Sequence, residues 1–310
     1  MSGTHLRPRL VHDAASEKLL QSPAMRTDFF LGLSPNGFHR IHYTEWGEAD
    51  NPRIVICAHG LARTGRDFDD LARALQADFR VICPDIVGRG RSDWLTAREH
   101  YGYPQYMADM TALIARVTAR GANHAVHWVG TSMGGIIGML LASRDRSPLA
   151  KLVVNDVGAL IPKAALERIG TYVGSTPRFP TLDALEAHVR HVSAPFGALT
   201  DEQWRHLTLH AARELDDGSW TTAYDPAIGI PFQQGALNDV SLWEYWDAIR
   251  CPTLLLRGAE SDLLLEETAL AMTTRGPRPR LVEFAGAGHP PMLMAEDQIA
   301  VVREFLREPV

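Results

Sequence analysis

The chain has 310 residues, of which 45% are hydrophobic and 22% are charged, a composition typical of a folded protein with a sizeable core. Its formal net charge is -6, and no cluster of basic residues stands out. Nucleic acid is therefore not expected as a partner, because phosphate binding needs a concentrated positive surface. The three cysteines lie far apart, which predicts neither a disulfide framework nor a zinc site built on Cys and His spacing.

Residues 1–24 are polar and irregular, which predicts a tail or a strap packed on the core. They lack the apolar stretch of a secretory signal peptide. No apolar run elsewhere in the chain approaches the length that crosses a bilayer. We therefore expect a cytoplasmic protein that has no membrane partner.

Short apolar runs then alternate with amphipathic helical stretches. Continuous apolar runs suit strands that are buried on both faces, as a parallel sheet requires. Such strands are predicted at residues 54–58, 80–83, 125–129, 151–154, 253–256 and 281–284. Helices are predicted at residues 68–75, 106–118, 135–142 and 299–306, and an antiparallel edge strand is predicted at residues 40–46, which alternate in polarity. The order predicts an α/β fold with a doubly wound, mostly parallel sheet.

The alternation is interrupted between residues 158 and 238, where helical patterns with Pro and Gly breaks replace buried strands. A helical insertion between core strands would lie over the carboxyl ends of the strands, the edge where open α/β sheets bind ligands. The sequence therefore predicts a core formed by residues 25–157 and 239–310 and a helical cap, or lid, formed by residues 158–238.

The strongest local motif is Gly-Thr-Ser-Met-Gly-Gly at residues 130–135, between a predicted strand and a predicted helix. A GxSxG motif in that context predicts a nucleophile elbow, a sharp turn that presents a serine in a strained backbone conformation. Gly130 and Gly134 suit a turn too tight for side chains. We predict Ser132 as the nucleophile.

A serine hydroxyl needs a base within hydrogen-bond reach, and in folds with this elbow the acid and the histidine follow the serine. His289 lies in a Gly- and Pro-rich loop directly after the last predicted strand, which favours it as the base. The pairs His188/His191 and His206/His210 have helical spacing that suits a metal, but no carboxylate pattern accompanies them in the sequence, so no metal site is predicted.

The orienting acid has three candidates. Asp262 follows the penultimate predicted strand in the turn Gly-Ala-Glu-Ser-Asp, and an aspartate there can accept the imidazole N–H and stabilise the imidazolium. Glu260 falls earlier in the same turn. Asp156, directly after the predicted strand at residues 151–154, is the stronger rival. We predict Asp262, with Asp156 as a hydrogen-bonded loop anchor.

Two backbone amides are needed to bind the oxyanion. Met133, directly after the nucleophile, is predicted to supply one. Leu61, in the His-Gly-Leu loop after the strand at residues 54–58, is predicted to supply the other, with His59 as a structural hydrogen-bonding residue.

Together these motifs resemble those of the α/β-hydrolase superfamily, in the cap-bearing branch that includes carboxylesterases, enol-lactonases and carbon–carbon bond hydrolases. The resemblance rests on HGLARTGRDF at 59–68, PDIVGRGRSD at 84–93, VGTSMGG at 129–135, LRGAESDLL at 256–264 and GAGHPP at 286–291. It covers nearly the whole chain after the first 24 residues. The resemblance implies an α/β-hydrolase fold and a serine hydrolase that needs no metal or organic cofactor.

The substrate is predicted to be a small to medium, partly apolar ester or lactone. Arg63 is a candidate for gripping a substrate carboxylate, and the alternative is a salt bridge with Asp67, Asp69 or Asp70. The aromatic candidates for lining an apolar pocket, each of which also suits packing of the cap, are Trp204, Trp220, Tyr224 and Phe232. Two other functions stay open: cleavage of a carbon–carbon bond in a dienolic diketone, and a ligand receptor with little turnover.

Overall fold

A computed structural model describes residues 25–119, 124–233 and 237–309, so the predicted tail or strap at 1–24 lies outside the described residues. The strands in the described part of the chain are β1 (Arg26–Ser34), β2 (Gly37–Trp46), β3 (Arg53–Ala58), β4 (Arg80–Pro84), β5 (Ala125–Thr131), β6 (Leu149–Asn155), β7 (Leu160–Ile161), β8 (Ala212–Glu214), β9 (Trp220–Thr222), β10 (Val240–Ser241), β11 (Thr253–Gly258) and β12 (Arg280–Phe284). The α-helices there are α1 (Asp69–Leu75), α2 (Tyr103–Thr118), α3 (Met133–Ala142), α4 (Lys163–Gly170), α5 (Leu182–Val192), α6 (Asp201–Ala211), α7 (Ile230–Gln233), α8 (Trp243–Ala248), α9 (Glu266–Thr273) and α10 (Glu296–Arg307).

Eight of these strands form one sheet in the order β1-β2-β4-β3-β5-β6-β11-β12. The first two pairings, β1 with β2 and β2 with β4, are antiparallel. The remaining neighbours run parallel. The predicted α/β fold with a mostly parallel sheet is confirmed, and each predicted buried strand belongs to this sheet.

Helices cover both faces of the sheet. On β3, Ile54 and Ile56 belong to a core cluster that includes residues of α2 and α3, such as Leu113. The alternate residues, Val55 and Cys57, belong to a second cluster that is built with α1 and α10. This two-sided burial explains why the strand is apolar at consecutive positions.

The predicted edge strand is antiparallel, as expected, but it is not at the edge. The predicted residues 40–46 belong to β2, which lies between β1 and β4. The outer strand β1 was not predicted because its pattern is inverted: Leu31 and Leu33 are exposed, whereas Phe30 is buried. Gly32 suits this strand, since a Cβ there would lie 2.4 Å from both the Asp109 carboxylate and the His39 ring.

Residues 158–238, called here the cap segment, separate β6 from β11 and add no strand to the eight-stranded sheet. The described part of the segment is mainly helical, but it also contains short strands that were not predicted. Within the segment, β8 pairs with β9. β7 pairs with β10, which lies just after the end of the segment. Its apolar residues, among them Leu185 and Trp204, pack with Met292 and Met294 of the core. No helix in the described residues is long and apolar enough to span a membrane.

A buried histidine makes the stability of the core depend on pH. His127 on β5 is buried against the edge of the Phe79 ring, with 5.9 Å between ring centroids. Burial, with a smaller contribution from the Lys151 charge, lowers the pKa of His127 to about 4. Between the unfolded pKa near 6.5 and this value, the unfolded chain binds more protons, so stability falls as the pH falls.

We therefore expect His127→Leu to flatten this dependence. Between pH 7 and pH 5, the wild type should lose about 1–2 kcal/mol more of its free energy of unfolding than the variant. Urea titrations of both proteins at the two pH values measure the difference. Equal losses would show that His127 is not held neutral in the folded protein.

Candidate active site

Ser132 lies in the turn between β5 and α3. Its backbone has φ 52° and ψ −116°, a conformation that costs a non-glycine residue on the order of 1–3 kcal/mol. A Cβ at Gly130 would lie 2.2 Å from the Gly134 carbonyl oxygen, and a Cβ at Gly134 would lie 2.0 Å from the Ala58 carbonyl oxygen. Side chains would therefore break the turn, which is why the motif has glycine on both sides of the serine.

A chain of hydrogen bonds joins three side chains from distant parts of the sequence. His289 Nε2 lies 3.0 Å from Ser132 Oγ, and His289 Nδ1 lies 2.8 Å from Asp156 Oδ2. An ionised carboxylate can only accept a hydrogen bond, so Nδ1 carries the proton of the neutral ring. Nε2 is then left to accept the hydrogen bond of the serine hydroxyl.

The carboxylate of Asp156 is fully buried and held by several donors. The Gly258 amide donates to Oδ1 over 2.8 Å, and the Ser261 hydroxyl donates to Oδ2 over 2.8 Å. The residue itself has φ 56°, in the left-handed region that Asp tolerates better than most residues. These contacts fix the carboxylate against the ring of His289.

The prediction of Asp262 as the orienting acid is wrong. Its side chain is 52% exposed, and its Oδ1 accepts a 2.9 Å hydrogen bond from Arg168 Nη2 on α4 of the cap segment. β6 and β11 are parallel neighbours, so both loops that carry candidate acids begin at the same edge of the sheet. The loop after β11 contributes Ser261 to the site instead, through its contact with Asp156.

The loop that carries His289 forms hydrogen bonds with both the core and the cap segment. The side-chain amide of Asn155 donates to the Pro291 carbonyl over 2.8 Å. The Gly288 amide donates to the Pro195 carbonyl of the cap segment over 2.7 Å. The second of these hydrogen bonds therefore links the loop of His289 to the cap segment.

The two residues predicted to supply the oxyanion amides belong to segments that lie next to Ser132. Met133 is the first residue of α3, where an amide has no acceptor within the helix. Leu61 follows Gly60, where a Cβ would lie 3.8 Å from Ser132 Cβ, so this loop passes directly beside Ser132. Binding of the oxyanion by these amides stays a prediction.

His59 orients the peptide that carries the Leu61 amide. The ring is fully buried, and burial lowers its pKa to about 3, so it is neutral. The Ile86 amide donates to Nε2 over 2.9 Å, which leaves Nδ1 to donate to the Gly60 carbonyl over 2.7 Å. In a planar trans peptide the Leu61 N–H points opposite to that carbonyl. The ring therefore sets the direction of the predicted oxyanion donor without touching a substrate.

We expect His59→Asn to lower kcat by about 10-fold with little change in KM, because a misaligned donor loses part of the stabilisation that an oxyanion amide supplies only in the transition state. Steady-state kinetics on a simple ester measure this split. The Ile86 amide would also lose its acceptor, so the assay is run at a temperature where circular dichroism shows the variant folded. An unchanged kcat would contradict the positioning role.

Arg89 lies in the loop after β4, within the motif at residues 84–93 that contributed to the family resemblance. Its guanidinium is fully buried, donates from Nε to the Leu61 carbonyl over 2.8 Å, and lies 3.5 Å from Met133 Sδ. On the other side of the same loop, the Gly90 amide donates to the Ala223 carbonyl of the cap segment over 2.9 Å. The loop thus holds both predicted oxyanion residues and the cap segment together.

Arg63 forms the predicted alternative, a salt bridge. Its Nε and Nη2 donate to the two carboxylate oxygens of Asp67 over 2.8 and 2.7 Å. The guanidinium carbon also lies 5.8 Å from the centre of the Phe196 ring in the cap segment. The cation is therefore already paired where a substrate carboxylate was predicted to bind.

The four aromatic candidates make packing contacts in the cap segment. Trp204 is buried and stacks on Phe196, with 6.1 Å between ring centroids and 9° between the ring planes. Tyr224 is buried and pairs through its backbone with Arg89. Trp220 is half-buried in β9, and Phe232 is half-buried beside α4. Their role in lining a substrate pocket stays a prediction.

Comparison with known proteins places this geometry in a family. A sequence model described as the alpha/beta hydrolase family matches residues 55–303. The chain belongs to the α/β-hydrolase family. A 3-hydroxybutyrate-oligomer hydrolase from Cupriavidus necator is 45% identical over 292 residues, which cover 92% of this chain and 98% of that protein. An esterase from Mycobacterium tuberculosis is 27% identical over 270 residues, which cover 84% of this chain and 83% of that protein.

The solved structures agree with this assignment. An alpha/beta hydrolase from Novosphingobium aromaticivorans superposes on this α/β hydrolase with a TM-score of 0.81 and 33% sequence identity, covering 92% of this chain and 99% of that one. The chain is therefore an enzyme, a hydrolase of the α/β-hydrolase kind.

Proposed function

We propose that this α/β hydrolase is a serine hydrolase that cleaves carboxylic esters through an acyl-enzyme on Ser132. The observation that carries the proposal is the continuous chain of hydrogen bonds from Asp156 through His289 to Ser132. The nucleophile, the base and the orienting acid therefore stand in the order that the triad mechanism requires.

In the first half of the reaction, His289 Nε2 takes the proton of Ser132 as Oγ attacks the ester carbonyl carbon. The developing oxyanion is bound by the amides of Leu61 and Met133, and Asp156 stabilises the imidazolium. His289 then gives the proton to the leaving alcohol. In the second half, His289 deprotonates a water molecule that attacks the acyl carbon, and it then gives that proton to Ser132 Oγ as the bond between Oγ and the acyl carbon breaks, which releases the acid product and free Ser132.

The substrate class that the comparisons favour is a short oligomer of a hydroxy acid. The relative from Cupriavidus necator is named for hydrolysis of 3-hydroxybutyrate oligomers, and the similarity extends over nearly the whole of both chains. Each bond between the units of such an oligomer is a carboxylic ester, which is the bond that the proposed mechanism cleaves.

A panel of substrates tests the proposal. Dimers and trimers of 3-hydroxybutyrate and a 4-nitrophenyl ester are incubated with the wild type and with Ser132→Ala, beside a dienolic diketone. We expect the wild type to release monomer and nitrophenol, and Ser132→Ala to release neither. Cleavage of the diketone without cleavage of the esters would favour a carbon–carbon bond hydrolase. Turnover of none of these substrates would favour a ligand receptor.

A further inference from the structure

A cluster of two imidazoles and one carboxylate lies where the cap segment meets the core. His206 and His210 are four residues apart on α6, so their rings share one face of that helix, with 4.5 Å between centroids. The sequence contained no carboxylate pattern beside this pair, but the fold supplies one from a distant segment. Asp69, the first residue of α1, is buried against them, and one ligand atom of each residue lies within 4.8 Å of the others.

The spacing suits a transition-metal ion. His206 Nε2 lies 3.4 Å from Asp69 Oδ2. Two ligands at about 2.0–2.1 Å from a tetrahedral zinc ion are about 3.4 Å apart. The other distances between the ligand atoms are at most 4.8 Å, and small rotations of the side chains would shorten them. Two imidazoles with one carboxylate favour zinc and similar ions over magnesium, which prefers oxygen ligands.

Arg66 makes the contacts that such an ion would replace. Its guanidinium donates to Asp69, with 2.9 Å from Nε to Oδ1, and its backbone carbonyl accepts a 3.0 Å hydrogen bond from His206 Nε2. A divalent ion and the guanidinium are both cations that compete for one buried carboxylate. The charge of Asp69 is therefore balanced in either state, by Arg66 or by a metal ion.

We propose that Asp69, His206 and His210 form a binding site for a divalent transition-metal ion of the zinc class, which the protein takes up in exchange for the Arg66 guanidinium. The ion would have three protein ligands and a water molecule in its fourth position. Two of the ligands belong to the cap segment and one to the core, so the bound ion ties the cap to the core. The proposal does not rest on the proposed esterase function.

Zinc titration of the chelator-treated full chain by calorimetry tests the site. We expect one ion per chain in the wild type, and an affinity at least about 100-fold lower in both His206→Gln and His210→Gln. His188→Gln is the matched control, since His188 is also a cap histidine but packs against Phe179, with 5.0 Å between ring centroids. This control should bind zinc like the wild type, and zinc should raise the Tm of the wild type and of the control but not that of His206→Gln or His210→Gln.

Two further measurements test whether the bound ion lies at this cluster. Arg66→Gln removes the competing cation and should bind zinc about 10-fold more tightly than the wild type, which a merely structural role for the cluster would not produce. Cobalt in place of zinc should give a visible spectrum without a thiolate charge-transfer band, because the site has no cysteine. Absence of zinc binding in the wild type, unchanged binding in His206→Gln and His210→Gln, or weaker binding in Arg66→Gln would each overturn the proposal.

Discussion

Asp156→Asn is expected to lower kcat on a simple ester by about 10⁴-fold, whereas Asp262→Asn should keep nearly the wild-type rate. An amide at position 156 can donate to His289 Nδ1, which favours the ring tautomer that carries its proton on Nε2. In that tautomer the ring cannot accept the proton of Ser132. The substitution also removes the negative charge of Asp156. That charge stabilises the imidazolium, which forms only during the reaction.

The Asp262→Asn variant is the matched control because it makes the same chemical change in the rival loop. The Asp262 side chain is half exposed and contacts Arg168, so the substitution removes only a surface ion pair. Initial rates of both variants, with circular dichroism to show that each is folded, measure the effect. A large loss in Asp262→Asn with a small loss in Asp156→Asn would restore the original prediction from the sequence.

His289→Ala is expected to lower kcat by about 10⁶-fold, because loss of the base removes the activation of the serine as a whole. The variant leaves space for a small base, so added imidazole should restore part of the rate. His191→Ala, an exposed cap histidine, serves as the control and should match the wild type. An active His289→Ala variant would mean that another group deprotonates Ser132.

The features of the site that the sequence predicted are those encoded by neighbouring residues. The elbow at Ser132 needs glycine at two nearby positions because backbone atoms leave no space for a Cβ, and that requirement is visible in a short motif. The buried strands were predicted for a similar reason, since burial on both faces leaves an apolar run. His289 was found from its loop, which follows the last strand of the sheet.

The choice of acid could not be made in this way. Asp156 and Asp262 both follow strands whose carboxyl ends are adjacent in the sheet, and the sequence does not say which of the two loops turns toward His289. The decisive contacts are long-range: the Gly258 amide and the Ser261 hydroxyl bond to Asp156 across more than a hundred residues. A serine one residue before Asp262 carried no signal of that role.

His59 was predicted as a structural hydrogen-bonding residue, but its partner in the oxyanion loop and the role of Arg89 were not predicted, for the same physical reason. His59 and Arg89 act through the backbone carbonyls of Gly60 and Leu61. Because every residue has a backbone carbonyl, the sequence does not show which one a side chain contacts. Likewise, Asp69 completes a cluster with two cap histidines that lie far away in the chain. Strand β1 was missed because its exposed face, which includes Leu31 and Leu33, is the more apolar one.

The most direct test of the proposed nucleophile is the intact mass of the protein after treatment with a small fluorophosphonate. We expect a single adduct on the wild type, none on Ser132→Ala, slower labelling of Asp156→Asn, and a wild-type labelling rate for Asp262→Asn. An unlabelled wild type, or an adduct that persists in Ser132→Ala, would contradict the assignment of Ser132 as an activated nucleophile.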